Sequence, residues 1–124
     1  MKKSIYILSL LSFIAIIFFS SCERDRYEKK ITYFVTRSTD GFEATYLLGQ
    51  DNFIKESVVV NSQEEVWKID HYANPGDIVY ISVMDTVPNS FVNVRIMIDG
   101  KFYKEKSRDD ITTKPVTVSG TVPY

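Results

Sequence analysis

The stretch from Phe91 to Lys106 constrains this chain most. Val92, Val94, Ile96 and Ile98 alternate with Asn93, Arg95 and Met97, the run stops at Asp99-Gly100, and it resumes in Lys101-Phe102-Tyr103. A period of two places the branched aliphatics on one face of an extended strand. Asp-Gly fits a two-residue type I′ turn, in which both turn residues need positive φ; glycine reaches it without steric cost and aspartate tolerates it. The spacing therefore predicts a β-hairpin, with Ile98 opposite Lys101 and Ile96 opposite Tyr103. A lone hairpin is marginal in water, so its apolar face needs a second sheet to cover it.

The rest of the chain supplies the strands. Ile31–Ser38 alternates Ile31, Tyr33 and Val35 with Thr32, Phe34 and Thr36, and Thr39-Asp40-Gly41 follows as a turn. Phe42–Leu48 puts Phe42, Ala44 and Tyr46 on one side, and Gly49-Gln50-Asp51-Asn52 closes it. Phe53–Val60 ends in three valines, a run suited to burial on both faces or to a shifted register. Glu64–Tyr72 mixes helical and strand spacing and is read as a strand. Asn74-Pro75-Gly76-Asp77 has the order of a type II turn. Ile78–Met84 follows, with Val79, Ile81 and Val83 on one face, and Pro115–Val122 gives a last short strand. No long amphipathic helix is visible. Seven to eight short strands separated by turns predict an all-β sandwich or small barrel, with Val79, Ile81, Val94, Ile96 and Ile98 in its core.

The N-terminus sets location. Lys2-Lys3 precede an almost wholly apolar run, Ile5–Phe19, of about 15 residues, shorter than the ~20 that span a membrane as a helix. Ser20-Ser21 then stand before Cys22, the only cysteine of the 124 residues. This is the pattern of a cleavable secretion signal over 1–21. Phe19-Ser20-Ser21-Cys22 resembles the lipobox of bacterial lipoproteins. That resemblance implies a diacylglycerol thioether on Cys22, cleavage before it and usually acylation of the new amino terminus. Two or more acyl chains, at ~0.8 kcal/mol per buried methylene, hold a protein stably on a membrane where one does not. Residues 22–30 are dense in charge and read as a tether, leaving 31–124 as one domain. A bacterial cell-envelope lipoprotein is expected, with the outer membrane as its membrane.

Charge and residue types narrow the chemistry. Lys2 and Lys3 leave with the signal, so 15 Lys+Arg become 13 against an unchanged 16 Asp+Glu, a net charge of −3. No basic field remains for nucleic acid. A single cysteine forms no internal disulfide and no zinc cluster. His71, the only histidine, lies beside Asp70 and Tyr72 at a strand end, where a surface or turn histidine is the simpler reading than a catalytic one. Glu64-Glu65 and Asp109-Asp110 are adjacent acids, which a strand would point to opposite faces, and no Asp-x-Asp-x-Asp-Gly spacing supports calcium. Trp67, Phe34 and Tyr80 are expected in the core rather than on a binding surface. No catalytic residue, metal or cofactor is expected, and no ligand site is assigned.

Three segments carry a family likeness: Pro75-Gly76-Asp77-Ile78-Val79-Tyr80-Ile81-Ser82, Val94-Arg95-Ile96-Met97-Ile98-Asp99-Gly100-Lys101 and Ser119-Gly120-Thr121-Val122. Together they resemble the MmpS-like domain of mycobacterial membrane proteins and of small lipoproteins from other bacteria. The resemblance spans roughly 31–122 and implies an immunoglobulin-like β-sandwich outside the cytoplasmic membrane. Some members accompany resistance-nodulation-division transporters that export lipids or siderophores. The chain lacks the cysteine pair and the uncleaved membrane helix of the mycobacterial members, so the fold carries over more directly than the transport role. The expected function is thus a non-catalytic binding or accessory lipoprotein, with a subunit of an envelope exporter as the alternative. An enzyme comes last.

Overall fold

The structure, a computed structural model, describes residues 28–87, 91–108 and 114–124. Eight strands follow in order: β1 (Lys29–Thr36), β2 (Gly41–Leu47), β3 (Phe53–Val59), β4 (Val66–Ala73), β5 (Ile78–Asp85), β6 (Asn93–Ile98), β7 (Lys101–Ser107) and β8 (Val116–Thr121). They form two four-stranded antiparallel sheets, β4-β1-β6-β7 and β3-β2-β5-β8. Among the described strands, β2–β3 and β6–β7 are hairpins within one sheet, and the other consecutive pairs lie in different sheets. The described residues therefore form an all-β, sandwich-like fold of eight strands, within the seven to eight expected. The tether expected over 22–30 ends sooner, because Lys29 and Lys30 already pair with Ala73 and Tyr72. The expected signal helix and Cys22 lie outside the described residues.

Alternation builds the core. Ile31, Tyr33 and Val35 from β1 and Val94, Ile96 and Ile98 from β6 face Phe42, Ala44 and Tyr46 from β2, Val79, Ile81 and Val83 from β5 and Val116 and Val118 from β8, all buried. Each fully buried branched aliphatic contributes ~1.5–3 kcal/mol by transfer from water. The same alternation sends Phe34 and Tyr80 to the outer faces, half-buried, which corrects their expected place in the core: Tyr33 and Val35, then Val79 and Ile81, already hold the inner positions on either side of them. Phe34 stands in register between Lys68 and Arg95. Trp67 does turn inward, its ring 5.7 Å from that of Phe42 at 81° and 5.5 Å from that of Tyr46. The valine run pairs regularly, Val58 opposite Phe42, and is not buried on both faces, because β3 is an edge strand: Val59 is 79% exposed.

The central hairpin is present, with Asp99 at φ 51° and Gly100 at φ 74°. Ile98 pairs with Lys101 as the turn demands, but Ile96 pairs with Lys104 rather than Tyr103. A β-bulge between Ile96 and Met97 leaves Tyr103 as the extra residue, and bulges re-aim side chains. Tyr103 turns toward the other sheet, over the bare Cα of Gly120, where its hydroxyl donates to Thr121 O at 2.9 Å and accepts Thr121 N–H at 3.1 Å. Lys104 Nζ reaches Ser119 O at 3.0 Å. The side of the sandwich between β7 and β8 is thus closed by side chains.

The turn also holds β1. Asp99 N–H donates to Lys30 O at 2.8 Å, and Lys30 N–H donates to Asp99 Oδ1 at 2.8 Å. Among the described residues no atom stands within 4 Å of where a Cβ on Gly100 would go, so substitution there acts through φ. Gly100→Val is expected to cost on the order of 1 kcal/mol or somewhat more, and Gly100→Asn less. Asp99→Asn keeps both the turn and the acceptor and should leave the thermal midpoint nearly unchanged. Equal midpoints for Gly100→Val and wild type would contradict the turn.

Candidate functional site: the two ends of the sandwich

A sandwich displays its loops at two ends, and the chain distinguishes them. β1 begins at Lys29, so the end that carries Lys29 is nearest Cys22. The same end holds the β6–β7 turn, the Asn74–Asp77 turn, the β2–β3 turn and Val122–Tyr124. Asp77 N–H donates to Asn74 O at 3.0 Å, Gly76 N–H to Val122 O and Val122 N–H to Asp77 O, each at 2.8 Å, so the C-terminal strand is stitched to the Asn74–Asp77 turn. Residues 75–82, 94–101 and 119–122 therefore meet here.

Tyr33 shapes the interior of this end. The β2–β5 ladder stops at Tyr46 opposite Ile81, and the next rung is replaced by the fully buried Tyr33 hydroxyl, which donates to Leu47 O at 2.8 Å and accepts Tyr80 N–H at 3.3 Å. A side chain of one sheet is thus wedged into the other. Beside it, Leu47, Gly49, Gln50, Asp51, Gly76, Asp77 and Ile78 line a groove of about 240 Å³. Its carboxylate at Asp77 is already engaged, accepting from Asn74 N–H at 2.9 Å and from Gln50 Nε2 at 3.3 Å.

Burial pushes the Tyr33 phenol up to about 12, and the hydrogen bond from Tyr80 works in the opposite sense. The folded value lies above the unfolded value of ~10, so this contribution is complete below pH ~10 and is lost as pH rises toward 12. Two pKa units correspond to about 2–3 kcal/mol. Tyr33→Phe should lower stability at neutral pH by about 1–3 kcal/mol, since Tyr80 N–H and Leu47 C=O lose their partner. It should also flatten the alkaline limb. Urea titrations at pH 8 and pH 11 check both; an unchanged alkaline limb in Tyr33→Phe would mean that another group causes it.

The opposite end is built on a buried ion pair. Asp85, at an inward position two residues beyond Val83, takes Arg108 Nη1 at 2.9 Å, with the two side chains 1% and 6% exposed. Arg108 Nη2 also donates to Lys114 O, and Arg108 N–H donates to Val92 O at 2.9 Å. The guanidinium thus fixes the bases of the β5–β6 and β7–β8 connections together. Neither Asp85 nor Arg108 is assigned a role from the sequence alone. The signal was available: Val79, Ile81, Val83 and Asp85 share one face, and a carboxylate on a core face needs a buried partner.

The side chains singled out for chemistry do not converge. Cys22, Asp109 and Asp110 lie outside the described residues. Glu64 and Glu65 stand exposed in the β3–β4 connection. His71 is not the surface or turn histidine that was expected. β4 runs on to Ala73, and alternation from Trp67 and Ile69 turns His71 inward, its ring 5.0 Å from that of Tyr33. Both ring nitrogens are shut from solvent and have no hydrogen-bond partner among the described residues. Burial holds the imidazole below its ordinary value, with neighbouring Asp70 pulling the other way. Asp70 itself faces outward; the Thr32 hydroxyl donates to it at 2.7 Å and holds its carboxyl below the usual carboxylate range, with Lys30 at 3.7 Å adding to the effect. Among the described residues no three histidine, cysteine or acidic side chains come together as a metal site.

In comparisons with known proteins, no family model matches the chain and no curated protein matches it.

Proposed function

We propose that this chain is a lipid-anchored lipoprotein of the bacterial cell envelope, whose sandwich is a non-catalytic binding or accessory domain. The observation that carries this reading is the apolar run ending in Phe19-Ser20-Ser21-Cys22, with β1 beginning only seven residues later at Lys29. Residues 1–21 act as a cleaved signal, and the acyl chains on Cys22 hold the domain to the outer membrane. The buried pair Asp85–Arg108 supports the display role, because a rigid base is what loops that bind a partner require.

The sandwich is of the immunoglobulin-like, MmpS-like kind. Counted in chain order, the β2–β5 and β6–β7 neighbours match the B–E and F–G pairs of immunoglobulin sandwiches, while β1 between β4 and β6, β3 beside β2 and β8 beside β5 are this chain's own arrangement. A role beside an envelope exporter is the second reading, carried by the likeness of segments 75–82, 94–101 and 119–122. Co-purification of a large transporter with the tagged protein from membranes would favour it.

Anchoring is tested by fractionation. Cys22→Ala should move the chain from the membrane fraction and abolish palmitate incorporation. A variant that stays in the membrane as firmly as wild type overturns the reading.

A further inference from the structure

The exposed aromatics are distributed unevenly. Five of the described aromatic residues stand out as exposed, Phe53, Tyr72, Phe91, Phe102 and Tyr124, and all but Phe91 lie at the end where β1 begins. Phe53 opens β3 and is 59% exposed; Tyr72, opposite Lys30, is 64% exposed; Phe102, opposite Met97, is 62% exposed; Ile78 opens β5 and is 61% exposed. By strand alternation Phe53 and Ile78 project from the outer face of one sheet and Tyr72 and Phe102 from the outer face of the other. The apolar side chains therefore surround this end on four different strands. Single exposed apolar residues need no explanation, but a set gathered at one end and rimmed by polar turns marks an interaction surface.

The charges at this end are sorted as well. Asp99 and Asp77 are turned back onto the backbone, accepting from Lys30 N–H and Asn74 N–H. Lys29 and Lys101 border a second groove of about 310 Å³ together with Phe102, Tyr103 and Tyr124, and neither lysine has an ion-pair partner among the described residues. Aromatic rings interleaved with free lysines are the composition that settles at the headgroup level of a bilayer, where the rings sit at the boundary and the ammonium groups meet phosphate.

Chain length supplies the occupant. Seven residue steps separate Cys22 from Lys29, a reach of at most ~25 Å at ~3.3–3.6 Å each. That is about the length of an eight-residue strand, so the Lys29 end stays within reach of the bilayer whichever way the domain tilts. Tethering raises the local concentration of membrane, so a weak patch suffices. We propose that the end of the sandwich bearing Phe53, Tyr72, Ile78 and Phe102 rests in the headgroup layer of the membrane that holds the anchor, with Lys29 and Lys101 at lipid phosphates. This fixes the domain upright and aims the loops around Asp85–Arg108 away from the lipid. The inference rests on the anchoring proposed above.

The test uses the full chain, purified from membranes and reconstituted in vesicles of phosphatidylethanolamine and phosphatidylglycerol. Two labelled forms carry a fluorophore on an introduced cysteine, Asn74→Cys at the Lys29 end or Glu64→Cys at the far end, and a headgroup-nitroxide lipid serves as quencher. Strong quenching of the Asn74→Cys label and little of the Glu64→Cys label is expected. Adding Phe53→Ser, Tyr72→Ser and Phe102→Ser should reduce the first several-fold while the protein still floats with the vesicles. A wild-type chain that fails to float overturns the anchoring and the docking with it. A chain that floats while its two labels are quenched equally, or the Glu64→Cys label more, overturns the docking alone.

Discussion

Asp85→Ala is expected to lower stability by about 3–5 kcal/mol, a large share of what a domain this size possesses. Its partner is a guanidinium only 6% exposed, and removing the carboxylate leaves that charge in the interior without its counter-ion. Arg108→Ala should be similarly costly. The joint change of Asp85→Val with Arg108→Met removes both charges at similar total volume, and it should recover most of the loss, because a buried pair costs desolvation on both sides. Urea titration of the single and double variants checks this. A cost below ~1 kcal/mol for Asp85→Ala would place the pair in solvent and remove the rigid base proposed for the far-end loops.

Gly41→Ala is expected to cost about 3 kcal/mol or more. Gly41 sits at φ 148°, where side chains are strained, and a Cβ built there would stand 2.5 Å from the carbonyl oxygen of Val58 on the paired strand. That oxygen belongs to backbone and does not swing aside, so relief requires β3 to separate from β2. The position is also a junction: Gly41 O accepts from Thr86 N–H at 3.2 Å and from Thr86 Oγ1 at 3.1 Å, which ties the start of β2 to the residue after Asp85. Thermal unfolding should show a drop larger than that of Gly100→Val, whose Cβ meets no neighbour. Equal drops would mean that β2 and β3 adjust freely.

The fold was legible where a local pattern and its turn agreed. Alternation at Ile31–Val35, Phe42–Tyr46, Val79–Val83 and Val92–Ile98 placed the inner residues, and Asp99-Gly100 located the hairpin, because each signal depends on residues a few positions apart. Legibility failed where the other sheet decided. The bulge that excludes Tyr103 from opposite Ile96 exists because Gly120 leaves room for its ring, and nothing within β7 announces that. His71 turns inward on the same face as Trp67, whose place in the core was expected, because β4 runs past Tyr72 to Ala73 and keeps His71 inside the strand. Phe34 and Tyr80 look like core by residue type and are displaced by better-placed neighbours. Asp85–Arg108 joins residues 23 apart, and only Asp85's place on the face of Val79, Ile81 and Val83 gave it away. The functional reading was carried by the opposite kind of signal, a linear motif at Cys22 that is complete in the sequence and requires no fold.

That motif is also where the account is most exposed to a direct check, the intact mass of the protein extracted from membranes of cells expressing the full chain. The lipoprotein reading requires a polypeptide of 103 residues, the 124 less the 21 of the signal, beginning at Cys22 and heavier than its sequence by a diacylglyceryl group, with or without a further amide-linked acyl chain. An unmodified chain, or one cleaved elsewhere and carrying a free thiol on Cys22, would contradict it.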